Sequence, residues 1–141
     1  MAPPGGSLPP GIWPRIILLQ KNAFEFALKS TGNRTEDGWA LWQNGDISDH
    51  FRVYEDGNYK VSIRAKGTPL KGVYPTMTLG LGTSEYKWQI NSTDWAVYTW
   101  EGPMVSGGHD VRISFDNDEY IPPEDRNLYI KDVTIKKSDP R

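Results

Sequence analysis

Cysteine is absent from the 141 residues, and histidine occurs only twice, at His50 and His109. The first absence excludes a disulfide scaffold, a thiolate metal centre and a cysteine nucleophile. The second leaves few candidates for a histidine metal site or a His-based catalytic constellation. A net charge of −2, from 16 basic and 18 acidic residues, lacks the basic surplus that phosphate binding needs, and argues against a nucleic-acid partner. The longest apolar run, residues 16–19, is far shorter than the ~18 residues of a membrane helix, so no membrane association is expected. No window of about 11 residues keeps a helical apolar period.

Gly and Pro, by contrast, are plentiful at 14 and 11 residues. Residues 1–11 are a Pro/Gly-rich stretch without the basic and then apolar segments of a signal peptide, and read as a linker. Residues 12–137 are expected to form the folded module, with 138–141 the stub of a further linker. Alternation with period two dominates that body. Residues 59–65 put Tyr59, Val61, Ile63 and Ala65 on one face, and residues 111–115 and 76–82 repeat the pattern. Residues 95–100 and 128–135 are further β-prone runs, and residues 16–19 and 24–28 are expected as early strands. Turn signals separate them, such as Asp56-Gly57-Asn58 ahead of residues 59–65. The fold class predicted is all-β, an antiparallel β-sandwich or jelly roll. The six Trp and seven Tyr exceed the four Phe. A core about 10 Å thick cannot take Trp42, Trp88, Trp95 and Trp100 together with the aliphatic residues. At least one is therefore expected at the surface, where Trp and Tyr suit sugar and interface contacts.

Residues 115–129 carry the clearest chemical signal. Asp116, Asp118, Glu119, Glu124 and Asp125 place five carboxylates in ten residues. Asp116 and Asp118, at i and i+2 after a strand, would share one side of an extended backbone, and Pro122-Pro123 could turn Glu124-Asp125 back toward them. Such a cluster of like charges calls for a cation. With oxygen ligands alone, the cation is hard, most often Ca²⁺. It is no EF-hand: counted from Asp116, the sixth residue is Ile121 and the twelfth Asn127, where Gly and Glu are required. The alternative is a solvated acidic turn with Arg126 as its counter-ion.

The segments Phe115-Asp116-Asn117-Asp118 and Asp125-Arg126-Asn127-Leu128-Tyr129-Ile130 resemble the C-terminal signature of calcium-dependent carbohydrate-binding modules, most nearly the xylan-binding families 36 and 60. Residues 94–100 and 107–115 are similar to the strand pair that precedes that signature. Residues 55–67 are similar to the middle strand, and Trp42-Gln43-Asn44-Gly45 to the Trp-x-Asn-Gly segment. The resemblance implies a β-sandwich that holds polysaccharide through calcium, vicinal sugar hydroxyls completing the coordination. Asp118 and Asp125 match the metal-ligand aspartates and Asn117 the neighbouring amide. Asp116 is an added carboxylate, and the carbonyl near Tyr120 a further ligand. The loop 120–124 lacks the glycines common in the family. Relatives often carry a second, structural calcium. Its matching position is Glu25, with Asp132 as a weaker partner, whereas a plain surface position is the other reading of Glu25.

Tyr120 is the first choice of sugar platform, followed by Trp88 and Trp42, with Asp118 and Asp125 contributing to the sugar site through the ion. Trp95 and Trp100, inside a strand, suit the core. A glycosidase needs two carboxylates in a cleft, which a short sandwich makes poorly. The expectation is therefore a non-catalytic, secreted, monomeric module of a larger enzyme. It binds a polysaccharide such as xylan or a β-glucan and keeps a catalytic domain near its polymer. The alternatives are a structural or protein-interaction sandwich with a purely structural calcium, and a small glycan-active enzyme.

Overall fold

The computed structural model describes residues 16–138. The linker predicted over 1–11 and most of the stub at 138–141 lie outside these residues. Thirteen strands run β1 (Ile17–Asn22), β2 (Leu28–Lys29), β3 (Asn33–Arg34), β4 (Trp39–Leu41), β5 (Gly45–Val53), β6 (Gly57–Thr68), β7 (Thr76–Leu81), β8 (Ser84–Gln89), β9 (Ala96–Met104), β10 (Gly107–Phe115), β11 (Tyr120–Ile121), β12 (Glu124–Asp125) and β13 (Asn127–Lys137). Eleven of them form an antiparallel β-sandwich, and β11 and β12 pair separately. One sheet has the order β3-β4-β13-β6-β9 with β1 also on β13, and the other is β2-β5-β10-β7-β8. Between them lie Val61, Ile63 and Ala65 of β6, Ile113 and Phe115 of β10, and Leu128, Ile130, Val133 and Ile135 of β13, all fully buried. Ile130 and Val133 both face inward although three residues apart, because the register of β13 on β6 shifts between Ile130 and Asp132. Lys131 is the extra residue of this bulge and restores the alternation beyond it.

The two open sides of the sandwich are closed differently. On one, edge strands β8 and β9 bring Tyr86 to Trp100 (ring centroids 5.1 Å apart) and Trp88 to Tyr98 (6.3 Å). On the other, Lys21 of β1 reaches across to Asp49 of β5 at 2.6 Å. Asp49 lies in an inward position between Ile47 and Phe51, and its carboxylate also accepts from the Ala27 and His50 N–H groups. Burial raises the Asp49 pKa, but the Lys21 ammonium and these N–H donors outweigh it and leave the carboxyl below its ordinary value.

Residues 24–28 are not the predicted strand. Asn22 caps a 3₁₀ turn at Ala23–Glu25, its side chain accepting from Phe24 N–H while Glu25 accepts from Asn22 N–H. The cap chemistry of Asn-x-x-Glu overrides the β-propensity of the two Phe residues. Lys29 donates to the Phe24 and Phe26 carbonyls and closes the turn.

Candidate metal and ligand site

Three connections meet at one end of the sandwich: residues 42–44 between β4 and β5, 69–75 between β6 and β7, and 116–126 between β10 and β13. The last folds back as a small hairpin, with Tyr120 opposite Asp125 and Ile121 opposite Glu124 across Pro122-Pro123. The stiff pair of prolines thus returns the second acidic group to the first.

Arg126 ties the end together. It is 6 % exposed, and its guanidinium donates to the carbonyls of Val73 (2.8 Å), Asn117 (2.6 Å) and Leu70 (3.3 Å). Glu119 stands 3.7 Å away. The counter-ion expected here is therefore a structural clamp on two loops. Asn44 accepts from Asp118 N–H at 2.8 Å and joins the third loop. Thr68 donates to the Asp125 carbonyl and accepts from Asn127 N–H. Lys71, at φ 51°, and Gly72, at φ 79°, form the tip of a two-residue hairpin, and the Lys71 N–H donates to Glu124 at 2.7 Å.

Within this frame, Asp118 Oδ1 and Asp125 Oδ1 are buried and have no hydrogen-bond partner, and Asn127 Oδ1 is in the same condition. Burial raises the Asp118 pKa, and the negative charge of Asp125 adds to the rise. Two carboxylates share one desolvated corner, each with an oxygen left over, which is an arrangement a hard cation would relieve. Among the described residues, no group of three His, Cys, Asp or Glu side chains could hold an ion. Beyond this pair, ligands would have to be amide, carbonyl or sugar oxygens.

The other predicted residues separate. Asn117 lies in the site but is spent: its Oδ1 accepts from Thr76 N–H at 2.9 Å and its Nδ2 donates to Tyr74 O at 3.2 Å. A side-chain ligand role does not fit this geometry, because the amide is a strut between loops. Asp116 is exposed. Tyr120 and Trp42 are 64 % and 47 % exposed and belong to two of the loops that meet at this end. Trp88 is turned inward against Tyr98 and helps close the sandwich, so its ring is no free platform. Glu25 is consumed by its turn. Asp132 faces Arg64 at 3.9 Å. Lys21 and Lys29 cover the Asp49 carboxylate and the Phe24 and Phe26 carbonyls, and Arg34 lies over the Phe24 ring. Asn127 joins the pair through its buried, unpartnered Oδ1, and its i+2 spacing from Asp125 is the sequence signal for it.

A two-sheet sandwich with a loop-borne carboxylate pair beside exposed aromatic rings has the form of a carbohydrate-binding module. Residues 60–140 match the family model of CBM60, the Ca-dependent, xylan-binding carbohydrate-binding module, and the chain belongs to that family. No curated protein matches the chain. Among solved structures, it is similar in fold to a carbohydrate-binding module CBM36 in complex with calcium and xylotriose (14 % identity, 84 % of this chain and 100 % of that one, TM-score 0.63). It is also similar to the CBM36-1 domain of a multidomain xylanase from the hindgut metagenome of Trinervitermes trinervoides (14 %, 86 % and 98 %, 0.63). The module CBM6cm-2 of Cellvibrio mixtus lichenase 5A, in complex with cellotriose, is a third (13 %, 87 % and 99 %, 0.62).

Proposed function

We propose that the chain binds a xylan-type polysaccharide through a calcium ion held by Asp118 and Asp125. The observation that carries this reading is the pair of buried, unpartnered Oδ1 atoms on those two residues. The ion would supply a hard Lewis-acidic centre with positions open to two adjacent sugar hydroxyls. The protein's own part is orientation. Arg126, Asn117 and Asn44 fix the loops before ligand arrives, which lowers the ordering cost of binding. Trp42 and Tyr120 offer apolar faces against which a pyranose can lie.

The reading extends to the parent protein. Residues 12–137 form the module, with linkers at 1–11 and 138–141. The module is monomeric, non-catalytic, secreted and joined to a glycan-degrading catalytic domain, whose concentration at the polymer it raises. Support comes from the family membership and from the structural relatives, one a domain of a xylanase and one a module of a lichenase.

The test is affinity electrophoresis of the isolated chain in gels containing xylan, mannan or β-glucan, with calcium and with EDTA. Retardation by xylan that EDTA removes is expected. Retardation indifferent to EDTA, or absent in every gel, would leave only a structural sandwich. Release of reducing sugar would contradict a non-catalytic module.

A further inference from the structure

We propose that the outer face of the first sheet, beside the carboxylate pair, holds a subsite for an acidic sugar, a uronic-acid unit carried by the bound polysaccharide. The inference rests on the polysaccharide-binding reading above and adds the charge of the ligand.

The sheet register builds the patch. Tyr129 of β13 lies between Ala40 of β4 and Lys66 of β6. The β6–β9 register sets Ala65 against Ala96, so Trp95 falls opposite Lys66, one residue beyond the last pair. Ala40, Tyr129 and Lys66 therefore form one row across three strands, extended by Trp95 just ahead of β9. The Lys66 ammonium is 4.5 Å from the Trp95 ring centroid and 5.7 Å from that of Tyr129. Lys131, thrown out by the bulge in β13, brings a second ammonium to 5.9 Å from the same Trp95 ring.

Two cations thus converge on one indole in a chain of net charge −2. Neither is in an ion pair among the described residues. The neighbouring Asp132 faces Arg64 instead. Cation–π attraction stabilises each ammonium on the ring but leaves their mutual repulsion uncompensated. A carboxylate between them removes it, while Trp95 and Tyr129 provide apolar surface for the sugar that carries it.

The patch also continues from the metal site. Asp125, Asn127 and Tyr129 alternate onto the same face, and four residues of extended chain span ~13 Å, a distance a short oligosaccharide covers. A polymer held at Asp118 and Asp125 can therefore lay a branch or a neighbouring unit over Lys66 and Lys131.

The experiment compares xylan bearing glucuronic-acid branches with the same polymer after its carboxyl groups are reduced to alcohols. Both are titrated calorimetrically in calcium against the wild type and the Lys66→Gln/Lys131→Gln variant. The wild type is expected to bind the acidic polymer roughly three- to tenfold more tightly, the size two solvent-exposed ion pairs supply. Molar salt and the double substitution should both erase that preference, and the variant's affinity for the reduced polymer should not change. Equal affinity of the wild type for both polymers, or a preference that survives the double substitution, would overturn the subsite. Failure to bind either polymer in calcium would overturn the polysaccharide-binding reading beneath it, a distinguishable result.

Discussion

Asp118 and Asp125 carry a cost beside their proposed role. Each keeps a buried oxygen with no partner, and the raised Asp118 pKa records the burial and the repulsion between them. Without metal, the pair destabilises the loop, so Asp118→Asn and Asp125→Asn are expected to leave the melting temperature in EDTA unchanged or slightly higher. If the pair holds calcium as proposed, the ion should stabilise the wild type by about 2.7 kcal/mol at a hundredfold excess over Kd, and both variants should lack that gain. Thermal melts with and without calcium check this. Asp49 behaves in the opposite way. Its folded pKa lies below its unfolded value, so the stability it contributes is present above about pH 4 and is lost as pH falls through the lower, folded value. Asp49→Asn should cost about 2 kcal/mol at neutral pH and flatten the acid limb of the stability curve below about pH 4. Urea melts from pH 2 to 7 measure both. Of these residues, the sequence made Asp118 and Asp125 legible, through the charge run and the family signature. Asn117 looked like a ligand because sequence shows its amide but not the Thr76 and Tyr74 backbone that consumes it. Asp49 drew no attention, since its partner Lys21 is 28 residues away.

At the scale of elements, the aromatic residues divide by the sheet face they occupy. Tyr86, Trp88, Tyr98 and Trp100 alternate inward from two edge strands and seal the sandwich. Trp100→Ala is expected to lower stability by about 3 kcal/mol, with little change in polysaccharide affinity per folded molecule. Trp42→Ala and Tyr120→Ala should do the reverse, weakening binding by about 1–2 kcal/mol with stability nearly unchanged. Chemical denaturation and titration calorimetry on the same variants separate the two groups. Periodicity finds the central parts of β6, β7, β10 and β13 because the inward positions of residues 59–65, 77–81, 111–115 and 128–135 are apolar. The nine residues of β5 escaped notice for a physical reason: Asp49 occupies one of the inward positions, and Asn44-Gly45-Asp46 has the composition of a turn. In residues 24–28, a local cap outweighed two β-prone Phe residues. Trp88 shows the limit of composition, which predicts that some Trp must be exposed but not which.

For the whole molecule, the distribution of loops matters most. Residues 42–44, 69–75 and 116–126 emerge at one end and are locked to one another through Asn44, Asn117 and Arg126. On the proposed reading the sandwich is a rigid mount, and the ligand surface would run from that end onto the outer face of the neighbouring strands β13 and β6. Arg126→Met would leave the Leu70, Val73 and Asn117 carbonyls without their shared donor. It is expected to cost about 3 kcal/mol, read as a shift of the denaturation midpoint. The proposed function requires this end to bind sugar through an ion held by its two unpartnered carboxylates. Titration calorimetry of the isolated module with xylo-oligosaccharides tests it most directly, run in calcium, then in EDTA, then with calcium restored. Binding that is present, lost and recovered is the predicted result, and affinity unchanged by EDTA would contradict it.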